Sequence, residues 1–501
     1  MKVLTAAEMR EVDRLTIERG IPGLILMENA GARVVEFLAS RFAPLSSQRI
    51  AVICGKGNNG GDGLVVARQI YTRFHPRALH VVLVADPAEL RGDAAENLRM
   101  LNACGCGVSR QIGADMRLAT LVIDALLGTG ITGPASGAIL DSIHEINTGF
   151  PLAKVVAIDI PSGMPTDSGA ARGDFVRADY TITFTALKVS QALPPNCDSM
   201  GELRVVPIGS PPQLYENIPL SVIEVRQFST VLAPRPRSGH KGTFGHVLVI
   251  GGAHGKTGAA AMAGLAALRA GAGLVTVACE DSNLTAMAPA LMTAPLPDSQ
   301  SIASIVKGKD VVAIGPGLGA DPRLVSLTRS LFAESDKPMV VDADGLNALA
   351  GNFPEALGGK LRVLTPHPGE MSRLTGQPVE VIQADRAGAA RKLATDKKIV
   401  VVLKGERTVI AFPDGRVSIN PTGTPAMGTG GTGDILTGLI AGLLGQFPGQ
   451  PELAILAAVY LHGLSGELGA ATKGEKSLIA TDLLDFLPAA IQACANLSDE
   501  I

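Results

Sequence analysis

A chain of 501 residues, 46% apolar and 18% charged, is long enough for more than one buried core and too apolar to be disordered. Its formal charge of −3 gives no electrostatic reason to expect nucleic acid or an anionic membrane as partner. With aromatics at 3% and no Trp, recognition built mainly on ring stacking is excluded.

The opening "MKVLTAAEMREVDRLTIERG" carries charges throughout and has no apolar core of a signal peptide. No uncharged apolar run approaches about 18 residues without a glycine, so no membrane span is expected. Six cysteines (54, 104, 106, 197, 279, 494) are scattered, and only "CGC" is close-set, with no second pair to complete a zinc site. They read as reduced thiols of a cytoplasmic protein.

Along the first part, short β-branched runs alternate with helical patterns: "RIAVIC" (49–54), "LHVVLVA" (79–85), "TLVIDALLG" (120–128), "KVVAIDIPSG" (154–163) and "YTITFTALK" (180–188). Continuous apolar strands alternating with helices predict a parallel sheet covered on both faces, an α/β doubly wound domain. Ligands of such sheets bind beyond the carboxyl ends of the strands, where this chain places "GKGNNGGDG", "DALLGTG", "DIPSG" and "LK". Around 208–242 the pattern breaks into Pro- and Gly-rich segments, which puts a boundary near 218–221 between domains 1–217 and 221–497. The alternation restarts with "HVLVIGGAHG", "GLVTVAC", "DVVAIGPGLG", "PMVVDADGLNAL", "RVLTPHPGE" and "IVVVLKGERTVIAF".

Two glycine motifs carry the chemistry. "GKGNNG" (55–60) follows a strand and opens a helix, but it is a weak dinucleotide fingerprint. Asp62 stands where pyrophosphate should meet the helix, and Asp86 lies beyond the expected spacing of about 20 residues. On its own, Asp62 also admits the lesser reading of a helix cap. "GKT" at 255–257 is no P-loop, because Gly251 and Gly252 stand too near Gly255. "MGTGGTGDILTG" (427–438) is a glycine turn entering an apolar helix. Its amides suit a phosphate; the turn resembles that of the ribokinase-like kinases, which implies that Asp434 stands next to the hydroxyl that attacks the phosphoryl group. The same amide dipoles are expected to keep its carboxylate ionised. Asp342 and Asp344 in "DADGLN" read as helix caps and not as a metal pair.

The ordered motifs "MENAG", "NNGGDG", "DALLGTG", "DIPSG" and "TFTALK" make residues 5–212 resemble the NAD(P)H-hydrate epimerase domain, a Rossmann-like fold. "GPGLG", "DADGLN", "TPHPGE", "LKGERT" and "GTGGTGD" make residues 222–495 resemble the ribokinase-like ADP- or ATP-dependent NAD(P)H-hydrate dehydratase domain. The family implied is that of the bifunctional NAD(P)H-hydrate repair enzymes. The resemblance implies that Asn58, Asn59, Gly60, Gly61, Asp62, the loop Gly128, Thr129, Gly130, Ile131, Thr132, Gly133, Pro134, and Asp159 bind the hydrated dinucleotides NADHX and NADPHX. It implies that Asn59, Asp124 and Ser162 hold a potassium ion. Asp159 and Lys188 are the acid/base pair it suggests, although Lys188 reads equally as a phosphate or carboxylate partner. In the second domain Ala259, Gly317, His367 and Asp434 would contact the hydrate, and Lys404, Gly405, Glu406, Arg407, Thr408 and Gly433 the nucleotide. Magnesium would arrive with ADP or ATP. His367, between two prolines, also reads as a turn residue, while His246, His254 and His462 read as structural. Two rivals remain: a ribokinase-like small-molecule kinase fused to a regulatory domain, and a dinucleotide-sensing binding protein. A homo-oligomer is compatible with either reading, since nothing in the sequence addresses assembly.

Overall fold

The computed structural model describes residues 1–131, 133–169, 173–280, 284, 288–297, 302–353 and 357–499; Thr132 lies outside them. The chain divides into two compact units, Met1–Ile218 and Pro219–Ile501.

The first unit contains β1 (Val3–Leu4), β2 (Arg49–Cys54), β3 (Ala78–Leu83), β4 (Leu121–Ala125), β5 (Lys154–Ile158), β6 (Tyr180–Phe184), β7 (Leu187–Lys188) and β8 (Glu202–Val206). Six of them form one sheet in the order β3-β2-β4-β5-β6-β8, every pair parallel. "RIAVIC" is β2 residue for residue. "YTITFTALK" instead splits at Thr185, whose φ is +66°, so β6 ends and β7 leaves the sheet to pair with β1. Ile50, Val52, Ile123, Val156 and Ile182 pack one face of the sheet, and Ala51, Ile53, Val122 and Val155 the other, all within buried clusters. Such two-sided burial explains why these strands read as unbroken apolar runs. Because β3 lies on one side of β2 and β4 on the other, the strand order reverses at β2/β4 and opens a crevice at their carboxyl ends.

The helix α1 (Ala6–Glu18) begins at Thr5, whose hydroxyl and backbone N–H form a capping box with Glu8. It turns Ala6, Met9, Val12 and Thr16 inward. The helix α2 (Gly23–Arg41) contains "MENAG", and α3 (Asn58–Arg73) starts in the first glycine loop.

The second unit holds β9 (Leu220–Val222), β10 (His246–Ile250), β11 (Leu274–Ala278), β12 (Met292–Ala294), β13 (Val311–Ile314), β14 (Met339–Val341), β15 (Arg362–Leu364), β16 (Val400–Leu403), β17 (Val409–Ala411) and β18 (Val417–Ile419). The order β12-β11-β10-β13-β14-β15-β16 is parallel; β17 and β18 then run antiparallel, and β9 closes the edge against β18. "IVVVLKGERTVIAF" is therefore a strand, a turn and a returning strand. Its fold class is again α/β. Helices Thr257–Ala270 and Thr432–Gln446 pack closely because Gly438 and Gly442 leave room for the backbone carbonyls of Ala263 and Ala267. Pro451–Lys473 is long and apolar enough to cross a membrane, but 61% of its most apolar stretch is buried within the unit, as in a core helix.

Candidate functional sites

In the first unit a cleft of about 660 Å³ opens at the carboxyl ends of β2, β4 and β5. Asn58, Asn59, Asp62, Gly128, Thr129, Gly130, Ile131, Asp159 and Lys188 all line it. Gly60, Gly61, Gly133 and Pro134 do not. Gly60 instead lets α3 approach β2: a Cβ there would stand 1.8 Å from the carbonyl oxygen of Gly55. Asp62 is not a cap, since α3 is capped at Gly57 without any side-chain bond. Its carboxyl is buried, and burial together with Asp159 and Asp13 holds it well above the usual carboxylate range. Asp86 caps the short turn after β3, its Oδ1 accepting from Ala88 N at 3.0 Å.

At the floor of the cleft Asp159 adopts φ +63°, a conformation strained for a non-glycine residue. Its carbonyl accepts from Gln191 Nε2 at 2.7 Å, and its carboxylate accepts from Thr183 Oγ1 at 3.0 Å and ion-pairs with Lys188. Lys188 is 1% exposed, and its ammonium also donates to Thr183 Oγ1 and to the carbonyl of Phe184. Burying an ammonium this deeply is stable only with that full set of partners.

Beside the cleft, the backbone of Leu127 joins the three residues expected around a cation. Asn59 Nδ2 donates to Leu127 O at 2.9 Å, and Ser162 Oγ accepts from Leu127 N at 2.9 Å. Asp124 accepts from Ser162 N at 2.8 Å and from Ser162 Oγ at 2.5 Å. Burial lifts the Asp124 carboxyl to about 6 against these hydrogen bonds. Asn59 Oδ1 is buried with no hydrogen-bond partner, an acceptor that is held in place and unused.

In the second unit, side chains from the ends of β14, β15 and β16 meet the glycine turn. Lys404 Nζ donates to Asp342 Oδ1 at 2.6 Å and lies 3.7 Å from Glu370 Oε2. Asp342 Oδ2 accepts from Thr437 Oγ1 at 2.8 Å. A Cβ on Gly433 would come within 3.2 Å of Lys404 Nζ, so the turn lies directly on the ammonium. Gly431, φ +102°, allows that turn. Thr432 Oγ1 bonds Met427 O and Thr429 O, and the buried His462 bonds the carbonyl of Thr432. Burial lowers His462 to about 4, so it is neutral and donates that bond.

Asp434 stands in the first turn of its helix, and its carboxyl is pushed up to about 6, by burial first and then by Asp342. Amide dipoles are expected to help keep it ionised; loss of water and neighbouring acids instead raise it. The capping role expected of Asp342 and Asp344 is likewise corrected. Their helix starts at Ala343 with no side-chain cap; Asp342 is buried under Lys404, and Asp344 Oδ2 accepts from Gly319 N at 2.8 Å.

Ala259 and Gly317 are neighbours, a Cβ on Gly317 falling 3.2 Å from that of Ala259. His367 caps the helix Pro368–Thr375, with Nδ1 accepting from Gly369 N and Glu370 N. Its other ring nitrogen lies 3.6 Å from Glu370 Oε1. Lys404 and Gly433 meet, while Gly405, Glu406, Arg407 and Thr408 form the turn into β17. That turn is braced by the buried Arg386, which bonds the carbonyls of Leu403 and Glu406. Sequence reasoning missed Asp13, Glu370, Thr437 and Arg386 and read Asp342 as a cap; Asp342 meets Lys404 and Thr437 from 62 and 95 residues away.

A family profile for NAD(P)H-hydrate dehydratase matches residues 247–489, and one for the YjeF-related protein N-terminus matches residues 23–190. The bifunctional NAD(P)H-hydrate repair enzyme of Moorella thermoacetica is 43% identical, the alignment covering 100% of this chain and 98% of that one. Two solved structures resemble the second unit. The ADP/ATP-dependent NAD(P)H-hydrate dehydratase of Bacillus subtilis, crystallised with ATP and magnesium, is 34% identical with TM-score 0.50 and covers 55% of this chain and 99% of its own. A ribokinase-like superfamily protein of Enterococcus faecalis is 31% identical with TM-score 0.50 and covers 56% and 97%.

Proposed function

The chain belongs to the bifunctional NAD(P)H-hydrate repair enzymes, and on that premise we propose how its two sites divide the work. It repairs hydrated NADH and NADPH: the R and S hydrates are interconverted, and the S hydrate is dehydrated with ADP or ATP. With ADP the products are NAD(P)H, AMP and phosphate. We assign epimerisation to residues 1–217 and dehydration to residues 221–497.

The observation that carries the dehydratase assignment is the convergence of Asp434, Gly433 and Lys404. Asp434 takes the proton of the hydrate hydroxyl, whose oxygen attacks the terminal phosphoryl group of the nucleotide. The glycine-turn amides and Lys404 face the charge that develops there. Phosphate, unlike hydroxide, is a good leaving group, and its elimination restores the reduced nicotinamide ring. Three carboxylates (Asp342, Glu370, Asp434) against one lysine would repel a bare nucleotide, which fits an anion that arrives with magnesium. Ala259, Gly317 and His367 complete the hydrate pocket, and Gly405–Thr408 hold the nucleotide.

In the first unit the cleft takes the hydrated dinucleotide, with Asp159 and Lys188 at the reacting carbon. A potassium ion, when bound, supplies positive charge beside the loop Leu127–Ile131. The unpartnered Asn59 Oδ1 fits it, together with oxygens of Asp124 and Ser162. The test of the whole reading is to incubate the chain with mixed hydrates of NADH plus ADP and magnesium, and to follow the reduced nicotinamide absorbance. Complete recovery is expected. Recovery of one epimer only, beyond spontaneous interconversion, would remove the epimerase; none at all would leave the kinase or binding-protein reading.

A further inference from the structure

Asp13 belongs to no motif, yet it lines the cleft together with Asp62, Asp159 and Lys188. Its helix is docked there by β1, which pairs with β7 so that Leu4 lies opposite Lys188. Aspartates beside the apolar stripe of a surface helix normally reach water. Here Oδ1 of Asp13 is buried and has no hydrogen-bond partner. An ion pair or a cap would satisfy that oxygen, so a purely structural role leaves it unexplained. The other charged groups around the cleft are Arg10 on the same helix, Lys56 and Glu89, which pair with each other at 2.7 Å, and Asp93.

Epimerisation itself requires a second group. The hydroxyl-bearing ring carbon must lose its oxygen on one face and regain one on the other, and the planar ring stands between the two faces. Asp159 and Lys188 are locked together at the ends of β5 and β7, a single ion-paired unit.

We propose that Asp13 is the second acid–base group of the epimerisation, acting from α1 on the ring face opposite Asp159 and Lys188. This rests on the reading of the first unit as the epimerase. The protonated Asp13 carboxyl gives its proton to the ring hydroxyl. The carbon–oxygen bond breaks, its electron pair leaving with water, while the lone pair of the adjoining ring nitrogen forms a carbon–nitrogen double bond. Water then adds to the other face, that pair returns to nitrogen, and the surplus proton passes to the Asp159 carboxylate. One proton has moved from Asp13 to Asp159, the reverse reaction moves it back, and no oxidant or reductant takes part. Burial, opposed by Lys188 and reinforced by Asp159, raises the Asp13 carboxyl to about 6, so a protonated fraction persists near neutral pH.

The test uses the full chain with the R hydrate of NADH, ADP and magnesium, reading epimerisation through the chain's own dehydration. Asp13→Asn should lower epimerisation turnover by about 100-fold or more with KM within about threefold, since a general acid is worth roughly 10²–10⁴ in rate. Dehydration of the S hydrate serves as the internal measure of folding and should stay at the wild-type rate. The wild-type rate should fall as pH rises through about 6, and this limb should be missing in Asp13→Asn. Asp13→Glu, which keeps the acid, should exceed Asp13→Asn by about tenfold or more. A folded Asp13→Asn within about threefold of wild type overturns the proposal, as does a folded Asp13→Glu no better than Asn. If Asp13→Asn does not fold, Asp13→Glu decides: activity with the pH limb retained supports the acid, and a folded, inactive protein removes it. Should the wild type itself fail to convert the R hydrate faster than it converts spontaneously, the epimerase reading falls and this assignment with it.

Discussion

Asp434 is the base we propose for dehydration, and its environment sets its working range. Burial and Asp342 raise its carboxyl to about 6, above the ordinary 3.8. A base acts ionised, so dehydration turnover should fall as pH drops through about 6, because Asp434 is then protonated. The linked stability effect has the opposite sense. Between about 4 and 6 the folded state binds the proton more tightly than the unfolded chain, so stability declines as pH rises across that window. Asp434→Asn should therefore cut turnover about 10²–10⁴-fold and leave nucleotide affinity equal or tighter. It should also stabilise the second unit at neutral pH by about 1–2 kcal/mol, after discounting for the partial exposure of the group. Steady-state kinetics, nucleotide titration and thermal unfolding of this single variant check all three effects. A fall of only a few-fold in turnover would make Asp434 a helix-terminus residue, since Asn serves there as well as Asp.

At the scale of elements, the proposed cation site is a meeting of three segments: the first turn of α3, the end of β4 and the turn after β5. Ser162 bonds Asp124 directly, and Asn59 joins them through the backbone of Leu127. Asn59→Ala removes the unpartnered Oδ1 and the bond to Leu127 O, and so should abolish potassium dependence of epimerisation while dehydration of the S hydrate is untouched. Rates measured in potassium and in tetramethylammonium salts separate the two cases. Potassium activation persisting in Asn59→Ala would move the ion elsewhere. "NNGGDG" was legible as a strand-to-helix turn because glycines and a preceding apolar strand are local signals. The unpaired state of Asn59 Oδ1 was not, because it depends on which carbonyl the amide nitrogen finds 68 residues away.

For the whole molecule, the division between Ile218 and Pro219 predicts that the two proposed activities are separable. Residues 219–501, which keep β9 paired to β18, should fold alone. They should dehydrate the S hydrate with ADP and stall on the R hydrate, a half-yield plateau in absorbance that relaxes only at the spontaneous rate. Full and rapid recovery by the fragment would place epimerisation in the second unit.

Strand identity, the parallel α/β class and the two glycine turns are properties of contiguous residues. Runs such as "RIAVIC" and "HVLVI" declare two-sided burial by composition alone, and Asp434 draws notice by standing in a glycine turn that enters a helix. What the folded chain decided is which distant charges share a desolvated space. Asp342 looked like a cap from its neighbours and became the buried partner of Lys404, 62 residues on, and of Thr437, 95 residues on. Asp13 belongs to no motif and lies in the cleft on the helix that follows β1, which pairs with β7 beside Lys188. Local pattern sets each backbone segment, whereas ionisation depends on water excluded by elements remote in sequence, and that is settled only when the sheets are assembled.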